Sequence, residues 1–185
     1  MKIKDIVQRG MNYVGRTDVA ELIKSEAEIN GEAAEAVETM LYCVNAVENE
    51  LARHYFPVVN TQTITSYNKK FEFTKFEKQP VKILSVTVNG EQKKYELFAT
   101  YLSCDAFTIT VEYEFSPQKK QLNGECELGE KVTEKMLAAG AVSEYCLING
   151  EMRQAEFWDS VYRQEIERAR RQQLKLPVIA PRSWI

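Results

Sequence analysis

The sequence contains few of the residues that most enzymes use to bind metals or to activate nucleophiles. Its 185 residues include a single histidine, His54, and four cysteines of which no two have CxxC spacing. Metal sites need clusters of histidine, cysteine or aspartate, and phosphate-binding loops need a glycine-rich turn between a strand and a helix, which is also lacking. The composition therefore argues against an enzyme, and we expect neither a metal nor another cofactor.

Long apolar runs are missing as well. A membrane-spanning helix needs about 20 apolar residues, and the first residues, MKIKDIVQRG, contain no apolar segment of the kind found in a secretory signal. Cys43 and Cys146 fall on the apolar faces of predicted helices, where a free thiol behaves as a small hydrophobic group. These features predict no membrane contact, buried thiols, and a protein that stays in a reducing cytoplasm or in a particle assembled there.

Helical periodicity dominates the first part of the chain, residues 1–56. Thr17 or Asp18 can cap a short helix, with Glu21 reciprocating. From about Gly31, apolar residues recur at steps of three and four, and the acidic side chains lie mainly off this stripe. Pro57 ends the pattern. The stripe comprises Ala33, Val37, Met40, Leu41, Val44, Val47, Leu51 and Tyr55.

The pattern changes to alternation over residues 57–117. Five short segments rich in Val, Ile, Thr, Phe and Tyr predict strands, and Asn89-Gly90 predicts a tight type I′ hairpin within SVTVNGEQKKYEL. We expect one small antiparallel sheet that closes into a sandwich or barrel, or packs on the long helix. The predicted strands are Thr61–Ser66, Phe71–Phe76, Val81–Val88, Gln92–Leu97 and Phe107–Phe115.

Residues 118–173 predict a helical hairpin after a polar link. One stripe contains Val132, Met136, Ala139, Val142, Tyr145 and Cys146, and Asn149-Gly150 is a plausible end for that helix. A second helix runs from Glu151 to about Gln173, with Ala155, Trp158, Tyr162, Ile166 and Ala169 on one face and Arg163, Glu167, Arg170 and Arg171 on the other. Pro177 and Pro181 then impose an extended tail, residues 174–185. The fold class predicted is α+β, one structural unit overall.

The charge is distributed unevenly along the chain. Thr17 to Phe56 contains nine acidic and two basic residues, whereas Arg163 to Ile185 contains six basic and two acidic residues. Opposite charges at the two ends suit head-to-tail contacts between copies or docking on an acidic partner. Two solvated helix faces of opposite sign explain the same pattern equally well.

Four further groups of residues offer weaker candidate sites. His54 is expected to be a satisfied, partly buried side chain, and Cys104 to pack at a strand edge. Glu125, Glu127 and Glu130 could form an acid–base pair or hold calcium, but a polar connector usually leaves such carboxylates solvated. Nucleic-acid binding would depend on Arg168, Arg170, Arg171 and Lys175, although the same residues are typical of a solvated helix end.

The C-terminal third resembles a group of small structural proteins of tailed phages. The resemblance is carried by AVSEYCLINGEMRQAEFWDSVYRQEIERARR, residues 141–171, followed by the Pro-broken PRSWI. In that pattern a helical hairpin leads into a basic stretch and an Arg-Trp plus aliphatic end; here Ser183 separates Arg182 from Trp184. The order of helices, small β domain, hairpin and tail is similar to that of the head–tail connector (adaptor) family.

The resemblance implies a non-enzymatic virion protein of the neck, assembled in the bacterial host cytoplasm. Such adaptors form a ring, commonly of twelve copies, beneath the portal and around the DNA exit channel. The implied partners are the portal protein, tail or tail-completion proteins, further copies of the chain, and double-stranded DNA only as it passes. Docking on the portal would use Val178, Ile179, Pro181, Arg182, Trp184 and Ile185, with Arg168, Arg170, Arg171 and Lys175 as rim charges. Another neck or tail-completion subunit, or a nucleic-acid-associated factor, remains the alternative.

Overall fold

A computed structural model describes residues 1–173, with helices and antiparallel sheets in the α+β arrangement that the sequence predicts. The described residues divide into two compact units. The first contains Met1–Ile3 and Asn45–Glu130 and is called the sheet unit. The second contains Lys4–Val44 and the described residues from Lys131 onward, and is called the helical unit.

Three helices occupy the N-terminal part: α1 (Ile3–Tyr13), α2 (Thr17–Ser25) and α3 (Glu32–His54). The predicted cap of α2 by Thr17 or Asp18 is wrong. Arg16 occupies the N-cap position and makes no side-chain capping hydrogen bond, because a guanidinium has no acceptor for a backbone N–H. It donates instead to the Asp18 carboxylate. Within the helical unit, Gly10 of α1 allows close approach of α3, since a Cβ at Gly10 would lie 2.9 Å from Met40 Sδ.

The long apolar stripe of α3 is confirmed. Val37, Met40, Val44, Val47 and Leu51 are buried, and the helix ends at His54, before Pro57, as predicted. The expectation that acidic residues lie off the stripe fails at one position. Glu48, one turn after Val44, is only 1% exposed.

Seven strands in the sheet unit form two antiparallel sheets, where the sequence predicts five strands in a small antiparallel arrangement, sandwich or barrel-like. The four-stranded sheet has the order β1-β7-β3-β4 and the three-stranded sheet the order β2-β6-β5. The strands are β1 (Val58–Thr65), β2 (Lys70–Glu72), β3 (Pro80–Val88), β4 (Glu91–Gln92), β5 (Tyr95–Leu97), β6 (Tyr101–Cys104) and β7 (Thr108–Phe115).

The predicted Asn89-Gly90 hairpin is confirmed. Both residues have positive φ, 52° and 84°, and Val88 pairs with Glu91 across the turn. The strand predicted to follow, Gln92–Leu97, is however split between sheets. Gln92 still pairs with Thr87 in the larger sheet, whereas Tyr95–Leu97 pairs with β6 in the smaller one.

Two further strand predictions need correction. The segment Phe71–Phe76 is a strand only to Glu72 and then forms a 3-10 turn, Phe73–Lys75. Strand β6 was not predicted as a strand of its own; it pairs on both sides in the smaller sheet. Its last residue, Cys104, is buried, in agreement with the packing role expected for it.

The core of the sheet unit is made by the inward-facing residues of both sheets. Tyr113 is fully buried and its ring meets that of Phe76 edge-on, with centroids 5.1 Å apart. Burying these apolar surfaces stabilises the unit at about 25 cal/mol per Å². The cluster comprises Ile64, Phe71, Phe76, Ile83, Val86, Leu102, Cys104, Ile109, Val111, Tyr113 and Phe115.

The predicted hairpin consists of α4 (Glu134–Ile148) and α5 (Met152–Gln173). Thr133 caps α4 by accepting a hydrogen bond from the Met136 backbone N–H at 3.1 Å. The sequence predicts that α4 is buried along one face only. In the structure every residue from Met136 to Ser143 is buried, so this part of the helix is covered on all sides. The turn is made by Gly150, with φ 77°, and Asn149 does not adopt the left-handed conformation.

Candidate docking site on the helical hairpin

In the helical hairpin, a hydrogen bond and an ion pair hold α5 against α4. Ser143 Oγ donates a buried hydrogen bond to the Ala155 carbonyl at 2.9 Å. Lys135 and Glu165 form an ion pair at 2.6 Å. These contacts fix α5 against α4 at both ends of the packed face, so the outward side chains of α5 are carried on a rigid helix.

Trp158 anchors α5 to the N-terminal helices within the helical unit. Its ring is stacked on that of Tyr13 with centroids 4.4 Å apart and an interplanar angle of 18°. Arg9, one turn before Tyr13, pairs with Glu134 at the start of α4 at 2.9 Å. The sequence predicted Trp158 as a packing residue, and its half-buried, stacked ring confirms this.

The opposite face of α5 is exposed and basic, as predicted. Arg163 pairs with Asp159 at 2.7 Å and Arg171 pairs with Glu167 at 3.0 Å, each one turn apart on the helix. Exposed pairs of this kind contribute little to stability. They do reduce the charge that these two arginines present to a partner.

Arg168 and Arg170 differ from their neighbours. Both are exposed, and neither forms an ion pair with any residue of the described range 1–173. They flank the buried Ala169 near the C-terminal end of α5, where cations are favoured by the helix dipole. Among the four predicted rim charges, these two are therefore the ones available for an outside partner.

The remaining predicted docking residues lie outside the described residues. This applies to Lys175 of the rim and to the whole of the predicted apolar contact: Val178, Ile179, Pro181, Arg182, Trp184 and Ile185. Their placement at a partner stays a prediction from the sequence.

The acidic N-terminal part is partly neutralised inside the helical unit. Arg16 contacts both Asp18 and Glu32, and Lys4 pairs with Glu26 at 2.7 Å. The hydrogen bond from Arg16 lowers the pKa of Asp18 below its ordinary value. Four exposed carboxylates have no ion-pair partner among residues 1–173: Glu21, Glu28, Glu35 and Glu38.

A buried polar network in the sheet unit attaches the connector after β7 to α3. The Asn45 side chain accepts a hydrogen bond from the Lys120 backbone N–H at 2.6 Å and donates to the Lys120 carbonyl at 3.1 Å. One turn further along α3, Glu48 Oε1 accepts from the Glu127 backbone N–H at 2.8 Å. The two side chains satisfy backbone groups of a segment that belongs to neither sheet.

The second carboxylate oxygen of Glu48, Oε2, is buried and has no hydrogen-bond partner among the described residues. Burial raises the pKa of Glu48, and the hydrogen bond from Glu127 N–H offsets this only in part. An ionised carboxylate in this position lacks part of its solvation, which shifts its protonation equilibrium towards the neutral form.

The carboxylate of Glu127 behaves in the opposite way. Desolvation is the largest effect on it, but the hydrogen bonds from Lys78 at 2.6 Å and the ion pair with Lys120 at 3.0 Å outweigh this effect and lower the pKa. The structure thus uses Glu127 in a structural ion-pair network. Glu125 and Glu130 are exposed in the same connector.

The predicted burial of Cys43 and Cys146 is confirmed, and no cysteine is in a disulfide. Burial raises the pKa of the Cys43 and Cys126 thiols to about 12 and that of Cys146 to about 11. Thiols in this state are poor nucleophiles.

His54 is exposed at the end of α3, so the expectation of a partly buried side chain is wrong. It follows the last buried turn of the helix, where the chain leaves the apolar stripe. Within residues 1–173, no three side chains from histidine, cysteine, aspartate and glutamate come together as a metal site.

Asn45 and Glu48 were not identified from the sequence. The signal that could have found Glu48 is its spacing, because it lies four residues after Val44 and three before Leu51, on the apolar stripe itself. An acidic residue at such a position is either exposed by a bend or has a buried partner.

No protein-family model matches the chain, and no curated protein matches it. In the described part of the chain, the helices are too short or too polar to cross a membrane.

Proposed function

We propose that this chain is a non-enzymatic structural subunit of a tailed-phage virion, an adaptor that links the portal of the head to the tail. Copies would form a ring around the DNA exit channel and dock on the portal through α5 and the residues that follow it. The observation that carries the proposal is that Arg168 and Arg170 are exposed near the end of α5 and form no ion pair with residues 1–173. In the sequence, α5 is followed by Leu174, Lys175 and then the apolar segment LPVIAPRSWI.

The apolar C-terminal residues and the basic residues of α5 would contribute to binding in different ways. Apolar residues such as Trp184 and Ile185 supply buried area in a partner groove, at about 25 cal/mol per Å² before the costs of binding. Charges at the rim mainly steer the encounter and change the association rate. Because the contacts of Ala155, Trp158 and Glu165 attach α5 to the helical unit, Arg168 and Arg170 project from a packed helix.

The test is co-assembly of the purified chain with a candidate portal, followed by light scattering and binding kinetics. A chain truncated after Leu176 should lose binding, since the apolar anchors are removed. The Arg168→Glu/Arg170→Glu double variant should associate at least about tenfold more slowly at low salt. Each single variant, Arg168→Glu and Arg170→Glu, is compared with Arg153→Glu, which makes the same charge change at the exposed start of α5.

Unchanged affinity of the truncated chain for a portal that binds the full chain would overturn the docking proposal. A monomer that ignores every portal and tail partner would overturn the adaptor proposal itself.

A nucleic-acid-associated role is the second candidate, favoured by the same two unpaired arginines. Its measurement is the affinity for double-stranded DNA as a function of salt. Replacing Arg168, Arg170 and Arg171 should then weaken binding and reduce the salt slope by about one for each lost phosphate contact.

A further inference from the structure

Strand β1 forms an unprotected edge of the four-stranded sheet. It pairs with β7 along its full length, Val58 to Thr65, without a register shift. On its other side, no backbone group of the described residues pairs with it. The Gln62 side chain lies on the face of Ile64, where it accepts a hydrogen bond from Tyr113 OH, donates to the Lys75 carbonyl and accepts from the Glu77 N–H.

The backbone groups that face outward can be identified from one hydrogen bond. The Ser66 N–H donates to the Phe107 carbonyl at 2.7 Å, so these two residues form a hydrogen-bonded pair. In an antiparallel ladder such pairs alternate with residues whose N–H and C=O point away. The free edge therefore presents the backbone N–H and C=O groups of Val59, Thr61, Thr63 and Thr65.

Free strand edges usually carry features that prevent pairing with another chain, such as charges, bulges or short length. The other edges here do: β4 has two residues and carries Glu91, β2 carries Lys70 and Glu72, and β5 carries Glu96. Strand β1 has none of these features. It lies in the longest stretch of the chain without an acidic or basic residue, from Tyr55 to Asn68.

The exposed side chains of β1 are also suited to pairing with themselves. On the outer face of the sheet, the hydroxyls of Thr63 and Thr110 are 2.9 Å apart and those of Thr65 and Thr108 are 3.0 Å apart. Cross-strand threonine pairs of this kind stabilise antiparallel strands. The outward edge of β1 offers the same β-branched side chains again, from Val59 to Thr65.

We propose that the β1 edge pairs antiparallel with the β1 edge of a second copy of this chain. The only registers allowed place outward-facing residues opposite one another. The longest of them sets Thr61 of one copy beside Thr63 of the other and Val59 beside Thr65. This register forms about eight backbone hydrogen bonds, since each such pair exchanges two. No like charges meet along the contact.

This pairing uses the same surface on both copies and closes at two. It is therefore separate from the head-to-tail contacts that a ring requires, and it does not rest on the adaptor proposal. The contact buries little area beyond the two strands, which is typical of a weak, reversible dimer.

The experiment is sedimentation equilibrium of the full chain over about 10 to 500 μM, a range that spans weak protein association. The apparent mass should rise from 21.3 kDa towards twice that value. Thr63→Lys places a charge on the edge and should keep the chain monomeric throughout. Thr110→Lys is the matched control: Thr110 lies directly opposite Thr63 on the same face but in the central strand β7, so dimerisation should persist.

Amide hydrogen exchange provides a second readout that does not depend on these variants. Protection of the Thr61, Thr63 and Thr65 amides should increase with protein concentration, while that of Ile64, which faces β7, should not. A chain that is monomeric over the whole range, or equal loss of the dimer in both lysine variants, would overturn the proposal. So would a dimer that survives Thr63→Lys but is lost on truncation after Leu176, which would assign the contact to the C-terminal residues instead.

Discussion

Glu48 Oε1 accepts a hydrogen bond from the backbone N–H of Glu127 at 2.8 Å, and the pKa values of the two carboxyl groups are displaced in opposite directions. The Glu48 carboxylate is almost fully buried, with one oxygen left without a partner among the described residues. The Glu127 carboxylate is bound by two lysines. The stability of this network should therefore depend on pH through both carboxyl groups, with opposite signs.

The Glu48→Gln substitution should change the pH dependence of stability above the ordinary glutamate value of 4.5. Because the folded-state pKa of Glu48 is raised, its protonated form contributes stability that is complete below 4.5 and is lost as pH rises through the raised value. The variant does not titrate, so its free energy of unfolding should decline less over this window. Urea unfolding from pH 4 to 8 measures the difference.

The exposed Glu38→Gln is the control for Glu48→Gln, since it removes the same charge from the same helix. If the two variants give the same pH profile, the buried carboxyl is not the titrating group.

The Glu127→Gln substitution should change the pH dependence of stability below the ordinary glutamate value of 4.5. With a lowered folded-state pKa, the ionised carboxylate contributes stability above its ordinary pKa, and this is lost as pH falls through the lower value. We expect a cost of about 1–2 kcal/mol at pH 7 that shrinks towards zero in acid. Glu125→Gln, two residues away and exposed, should cost less than about 0.5 kcal/mol. Equal costs for the two variants at pH 7 would contradict the ion-pair network.

The cysteine thiols should resist alkylation in the folded protein. A pKa of about 12 for Cys43 and Cys126 leaves about a thousandfold less thiolate at pH 8 than an ordinary thiol has. Iodoacetamide labelling followed by mass spectrometry should be slow in buffer and complete within minutes in guanidinium. Rapid labelling of Cys126 in the folded protein would show that the half-buried thiol is more accessible than the structure indicates.

Gly150→Ala should destabilise the hairpin by about 1 kcal/mol, because φ is 77° and a Cβ is disfavoured there. Gly129→Ala is a suitable comparison, since an added Cβ meets nothing within 4 Å and no positive φ is required. Thermal unfolding should place Gly150→Ala several degrees below the wild type and Gly129→Ala close to it. Equal decreases in melting temperature would mean that the positive φ at Gly150 does not determine the cost of the substitution.

The elements with strong periodicity could be predicted from the sequence. The stripe of α3, the Asn89-Gly90 turn and the α4–α5 hairpin depend on local spacing and on residues that tolerate positive φ. The assignment of strands to two sheets could not be predicted, because Lys93 and Lys94, between β4 and β5, carry no signal of which partner the next strand takes. Strand partners are set by long-range packing, which alternation in one segment does not encode.

The candidate sites were predictable only in part. The basic face of α5 follows from helical spacing, but the sequence alone does not show that Arg163 and Arg171 form ion pairs whereas Arg168 and Arg170 form none with residues 1–173. The buried role of Glu48 depends on Glu127, a residue 79 positions away in the sequence. A contact between residues so far apart in the sequence produces no pattern in the residues around either partner.

The two units are each assembled from separate stretches of chain, which has a consequence for folding order. The backbone of Met1 accepts a hydrogen bond from Cys126, and that of Ile3 donates one to Gly124. During synthesis these first residues must wait for more than a hundred others before they reach their partners. Residues 4–44 likewise meet their neighbours from Lys131 onward only late. Closing such long loops slows folding. The sheet unit therefore cannot be completed before Glu130 has been made, the helical unit is completed later still, and neither can be excised as one continuous fragment.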